Sequence, residues 1–150
     1  MNPPPKGWLR ITPAVFYDDA AAAIDWLCRA FGFEVRLKIE GDQGRIEHSE
    51  LAYGEGVIMV GQAGTNPRSP QTTYPTSPSA VGGSNTQALM LYVDDVEAHY
   101  VRARAAGAAI VTALEVHDYG ADRWSDRSYA AMDVEGHHWF FTQRLRDGQH

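Results

Sequence analysis

Apolar positions along this chain fall into two rhythms, and the series of rhythms runs through twice. "ITPAVF" (11–16) is rich in apolar residues and reads as a strand. "AAAAIDWLCRAF" (20–31) has the spacing of an amphipathic helix, with Asp18 or Asp19 placed to cap its start and Gly32 to end it in left-handed backbone. "FEVRLKIE" (33–40) alternates as a strand and "RIEHSELAY" (45–53) follows as another. "GEG" (54–56) signals a hairpin turn, and "VIMV" (57–60) is a short buried strand. The order then recurs. "YVDDVEAHYVRARAAG" (92–107) repeats the strand end, the Asp-Asp pair, the helix and the glycine, with Asp95 as cap and Gly107 as terminator. Asp18 recurs as Asp94, a spacing of 76, and Glu55-Gly56 recurs as Glu135-Gly136, a spacing of 80. Each half predicts strand, helix, strand, strand, strand.

The halves, 1–63 and 85–150, are separated by residues 64–84, rich in Pro, Ser, Thr and Gly. That composition predicts a linker or flap without structure of its own, whose one aromatic residue, Tyr74, can fold onto a neighbour. With 150 residues, the expectation is one structural domain built from two small units. A net charge of −6 and no basic cluster argue against a nucleic-acid partner. One cysteine, Cys28, excludes a disulfide within the chain, and with no signal-like or membrane-spanning run the expected location is cytoplasmic.

The stretches "ITPAVFYDDAAAAIDWLCRAFGF", "HSELAYGEGVIMV", "LMLYVDDVEAHYVRARAAGA" and "YAAMDVEGHHWFFTQ" together resemble the vicinal oxygen chelate superfamily, the glyoxalase, bleomycin-resistance and extradiol dioxygenase group, and within it the PhnB-like or bleomycin-resistance-like branch. The resemblance implies an α+β fold of two βαβββ repeats, with curved mixed sheets around a cavity and helices outside. It also implies a homodimer, often with swapped strands. Metal-bearing members place His or Glu on the first and last strands of each half. The matching positions here are Thr12, Val60, Ala88 and Phe140, none a usual ligand of a divalent ion. No metal or other cofactor is therefore expected.

Strand parity picks out the candidate site. His137 and His138 are neighbours on a strand and point to opposite faces, so they do not chelate one ion together. His138 shares the cavity face with Phe140, while Trp139 and Phe141 point to the helix layer and His137 is solvated at the turn. For His138 a structural bond, a ligand contact or a metal all remain open. Thr12, Ala14 and Phe16 share one face, as do Ala88, Met90 and Tyr92, and Ile58 and Val60 are assigned to the same inner wall. His48 and Glu50 are placed facing the cavity, with Glu50 needing His48, an Arg or water as partner; a pair of this kind can serve as general acid and base or can orient a ligand. Metal held by His48, Glu50 and His138 is the one alternative ion site. Residues 115–127, "EVHDYGADRWSDR", read as a loop that lids the cavity or, through Trp124, enters a dimer contact. Glu97, His99, Arg102 and Arg104 read as the solvated face of the second helix.

The expected ligand-binding set is thus Phe16, His48, Glu50, Tyr92, Trp124, His138 and Phe140, with no catalytic residue assigned. The leading expectation is metal-free binding or sequestration of a small hydrophobic or aromatic compound by a homodimer. The alternative is a glyoxalase-type lyase or isomerase, using a non-standard metal set or the His48/Glu50 pair.

Overall fold

The computed structural model describes residues 1–149 and divides into two units, residues 1–82 and residues 83 onward. In the first unit, β1 (Ala14–Tyr17), β2 (Glu34–Glu40), β3 (Ile46–Tyr53) and β4 (Gly56–Gln62) form a mixed sheet in the order β1-β4-β3-β2. β1 and β4 are parallel and the other pairs antiparallel. A parallel pair needs a crossover, and α1 (Ala20–Phe31) begins the connection that supplies it. Asp19 caps α1 by accepting a bond from the Ala22 N–H, and Gly32, at φ 83°, closes it.

α1 buries Ala23, Ile24, Leu27, Ala30 and Phe31 against one face of this sheet. That face presents Val15, Tyr17, Leu51, Ile58 and Val60, all buried. Burying a side chain of Leu or Ile size contributes roughly 1.5–3 kcal/mol, so this layer is the unit's core. Ser49 lies in it and donates to the Val60 carbonyl at 2.5 Å, which satisfies its hydroxyl.

The second unit repeats the plan. β7 (Ala88–Tyr92), β8 (Ala109–Asp118), β9 (Ser125–Met132) and β10 (His138–Arg146) form a sheet ordered β7-β10-β9-β8, with β7 and β10 parallel. α2 (Val96–Ala105) is capped by Asp95, which accepts from the Ala98 N–H. Trp139, Phe141 and Tyr129 are fully buried, as parity predicts for Trp139 and Phe141. The Tyr129 and Phe141 rings stack at 5.1 Å.

Four expectations need correction. Ile58 and Val60 do not join the face of Phe16. Val60 pairs with Val15 and Ile58 with Leu51, on the helix side, while Met59 pairs with Ala14 and Gly61 with Phe16. The cause lies in the hairpins. Tyr53 pairs with Gly56 across a two-residue turn, whereas Met132 pairs with His138 across residues 133–137, so the two hairpin glycines are not equivalent in register. Residues 64–84 are not structureless. They carry β5 (Gly64–Asn66) and β6 (Ser69–Tyr74), paired as a hairpin, and a 3-10 turn at Pro78–Val81. Of residues 115–127, read as loop, 115–118 complete β8 and 125–127 begin β9, which leaves 119–124 as the connection. His99 is not solvated: it is buried, and its Nδ1 lies 2.7 Å from the Tyr129 hydroxyl.

The long second hairpin is organised by Asp133, itself buried. Its Oδ1 accepts the Glu135 and His137 N–H groups at 3.1 and 3.0 Å, and its Oδ2 accepts the Trp139 indole N–H at 2.9 Å. "DVEGHHWFF" is therefore a turn into a buried strand, with one carboxylate tying the loop to the core tryptophan. Replacing Asp133 with Ala leaves three donors unpaired. We expect Asp133→Ala to lower stability by about 3 kcal/mol, measured as a fall in denaturation midpoint with an unchanged slope, and Asp133→Asn to cost less because it keeps an acceptor.

Candidate functional site

On the face of the first sheet away from α1, the register sets Ala14, Phe16, Met59 and Gly61 side by side. Gly61 has a local purpose, since a Cβ there would meet the Phe16 ring at 2.9 Å. Its absence lets the ring lie flat over the β4 backbone. Tyr74, at the end of β6, stacks on that ring at 5.6 Å and 19°. Around the pair lies a cavity of about 240 Å³, lined by Ala14, Met59, Val60 and Ile46 and by the polar Arg45, His48, Gln62 and Asn66. An apolar concavity with a few polar groups is the usual form of a small-molecule site.

His48 lines this cavity; Glu50 does not. Glu50 is buried, and each of its carboxylate oxygens has a partner: His48 Nε2 lies 3.1 Å from Oε1 and Arg36 Nε 3.0 Å from Oε2. The partner foreseen only as an arginine is thus Arg36. A β-bulge delivers it. Val35 pairs with Leu51 and Leu37 with Glu50, so Arg36 is the extra residue and its side chain is re-aimed at the carboxylate. Arg36 also donates to the Gly7 carbonyl at 2.5 Å and lies 4.8 Å from the Trp8 ring centre, which ties the N-terminal segment to the same point.

In the second unit the candidates fall into two groups. The His138 and Phe140 rings stack at 5.0 Å, and His138 Nε2 is buried with no hydrogen-bond partner. Tyr92 and Trp124 are joined by Arg144, which sequence reasoning missed. Its guanidinium carbon lies 5.6 Å from each ring centre. It also donates to the Tyr92 hydroxyl at 2.9 Å and pairs with Asp126 at 2.6 Å. The bond to Asp126 holds the Arg144 guanidinium further above its ordinary range. Arg146 does the converse for Asp118, which its hydrogen bond, with one from the Gly120 N–H, holds below the usual carboxylate range. Tyr119 lies 5.2 Å from Trp124, so residues 119–124 form an aromatic cap on this sheet.

These residues do not fit a divalent ion. With the register corrected, the last-strand position of the first unit is Met59 instead of Val60, facing Ala14; its counterpart Phe140 faces Met90. Thr12 precedes β1, and Ala88 begins β7. Thioether, phenyl and methyl groups are not donors a hard or borderline ion selects. Among the described residues no group of three or more His, Cys, Asp or Glu is placed to hold a metal.

The family model of the Glyoxalase/Bleomycin resistance protein/Dioxygenase superfamily matches residues 10–141. The chain belongs to this superfamily. Uncharacterized protein Mb0911c of Mycobacterium bovis is 34% identical over 139 residues, covering 91% of this chain and 84% of that one. Uncharacterized protein Rv0887c of Mycobacterium tuberculosis has the same identity over 139 residues, covering 91% of this chain and 75% of its own. Among solved structures, TioX from Micromonospora sp. ML1 is 34% identical, with a TM-score of 0.65 over 90% of this chain and 95% of its own. Lactoylglutathione lyase from Agrobacterium tumefaciens, at 17% identity, shares the fold, with a TM-score of 0.58 over 95% of this chain and 96% of its own. No helix among the described residues is long and apolar enough to cross a membrane.

The Arg36–Glu50–His48 cluster makes a specific prediction. Removing the arginine leaves a buried carboxylate with only His48 beside it. We expect Arg36→Ala to lower stability by about 2 kcal/mol at neutral pH, and the double variant Arg36→Ala/Glu50→Gln to recover part of that loss. Chemical denaturation of the three proteins measures the coupling; a double variant no more stable than Arg36→Ala alone refutes it.

Proposed function

We propose that this superfamily member binds and sequesters a small planar hydrophobic or aromatic compound, without a metal. The observation that carries this is the cavity built on the stacked Phe16–Tyr74 pair. Its volume of about 240 Å³ lies below the range of roughly 300–1,000 Å³ for drug-sized ligands, which suits one or two rings, or one end of a larger molecule. The Glu50 clamp weighs against the acid–base alternative, because the carboxylate is held by Arg36 and His48 away from the cavity lining. In the second unit, taken by itself, Tyr92, Trp124 and Phe140 are each more than a third exposed, with His138 beside Phe140, and offer a separate flat surface for an aromatic compound.

A screen of aromatic compounds by thermal shift, followed by calorimetric titration of the best, tests the reading, since a ligand of the native state stabilises it by mass action. A stacking contact contributes roughly 0.5–1.5 kcal/mol, so Phe16→Ala is expected to weaken binding by roughly two- to tenfold with the fold retained. Tyr92→Ala is expected to weaken any binding at the second unit's own aromatic surface, while Trp139→Ala mainly destabilises the protein, by roughly 3–5 kcal/mol. Affinity indifferent to Phe16 and Tyr74 refutes the aromatic site.

The working form we propose is a homodimer. All seven residues of β2 are exposed, among them Val35, Leu37 and Ile39. In the second unit Val111 and Val116 of β8 are exposed as well. Exposed apolar strands invite a partner. Sedimentation is expected to give twice the chain mass, with an interface above about 1,000 Å²; a monomer at micromolar concentration refutes it.

A further inference from the structure

The cavity of the first unit contains an arginine that forms no ion pair of its own among the described residues, although Asp18, Asp19, Asp42 and Glu47 lie around it. Arg45 lines it, at the start of β3 and behind a tight turn in which Gln43 adopts left-handed backbone. Its backbone is fully engaged: the N–H donates to the Asp42 carbonyl at 3.1 Å, and the carbonyl accepts from Gly41 at 2.7 Å. Its side chain is not. The Nε is buried and has no hydrogen-bond partner. An arginine stays charged at any pH a folded protein meets, so this is a permanent positive charge with a buried, unmet donor.

The acidic residues around it are already committed. Arg68 pairs with Asp42 at 3.0 Å and reaches Glu47 at 3.9 Å. Asp19 caps α1 through the Ala22 N–H. Asp18 accepts a bond from the Ser79 hydroxyl at 2.8 Å. Asp18, Asp19 and Asp42 thus each serve another group, and Arg45 lines a cavity whose other polar members are His48, Gln62, Asn66 and Glu47, the last 3.9 Å from Arg68.

Resting on the aromatic-ligand reading above, we propose that the compound is an anion: a planar aromatic acid whose ring lies against Phe16 and Tyr74 and whose carboxylate is held by Arg45. Asn66 supplies a neutral donor beside it, and Gln62, whose Nε2 donates to the Asp18 carbonyl, lines the same wall. The chain's net charge of −6 disfavours anions at a distance, but at physiological salt such repulsion is screened beyond about 8 Å, whereas the contact with Arg45 is local.

The test uses three probes of one shape on the full chain: 2-naphthoate, its neutral amide 2-naphthamide, and the cation 2-naphthylmethylamine, each titrated by calorimetry at fixed ionic strength. The expected order is naphthoate tightest, by about tenfold over the amide, which is one charge-assisted hydrogen bond. Arg45→Gln is expected to erase that preference, and Arg45→Lys to keep part of it. Because the Arg45 side chain makes no bond in the protein, neither variant is expected to lower the denaturation midpoint. Equal affinity for naphthoate and amide, or a preference that survives Arg45→Gln, overturns the anion proposal while leaving the aromatic reading standing. Failure of all three probes to bind overturns both.

Discussion

Each four-stranded sheet in this protein has one helix to cover it, and much else follows from that shortage. A sheet has two faces, and an amphipathic helix buries one of them. In the first unit the covered face takes Val15, Tyr17, Leu51, Ile58 and Val60; in the second it takes Trp139, Phe141 and Tyr129. The opposite face must then be tolerable without a helix. The chain fills it with groups that bear partial exposure: aromatic rings that stack on one another, histidines, and arginines whose stems cover apolar surface while their heads find acceptors. A surface built under that constraint is already close in composition to a small-molecule site.

The polar groups on these faces are not independent. Glu50 would be costly alone in its buried position, and it is tolerated because a bulge in β2 turns Arg36 toward it. Arg36 in turn holds Gly7 and Trp8, so the N-terminal segment, which turns where the Trp8 N–H donates to the Pro5 carbonyl, is fastened to the sheet through the same guanidinium. Arg144 plays the comparable part in the second unit, joining Tyr92, Trp124 and Asp126. Both arginines are bound to carboxylates. Arg45 differs because its neighbours' carboxylates are taken by Arg68, a helix cap and Ser79.

The repeat, the helices and their caps were legible in the sequence because they rest on local signals: Asp at the start, Gly at the end, and apolar spacing between. The covered face of β10 was legible too, since Trp139 and Phe141 follow directly from alternation. What failed was register. The spacing of 80 between Glu55-Gly56 and Glu135-Gly136 treated two hairpins as equal, but the Asp133 loop is longer, and a one-residue slip exchanged Val60 for Met59. Arg36 was out of reach for the same reason, because a bulge is invisible to parity. His99 was misread because charged neighbours on α2 masked one position whose partner, Tyr129, lies on a distant strand. Arg45 carried no sequence signal at all; its meaning depends on which acids are already paired.

The segment joining the halves shows how composition can mislead and still contain the clue. Its Pro, Ser and Thr content argued for a solvated linker, yet β5 and β6 pair, and Tyr74 ends on Phe16. A two-stranded hairpin of this size is marginal in water by itself. The stack on Phe16 is therefore part of what holds it in place. Phe16 can present its ring only because Gly61 beneath it has no side chain. A flat ligand that seeks the Phe16 ring meets a surface Tyr74 already covers, so it must either extend the stack from the cavity side or displace the tyrosine. The hairpin and the cavity thus share one aromatic platform, the Phe16 ring.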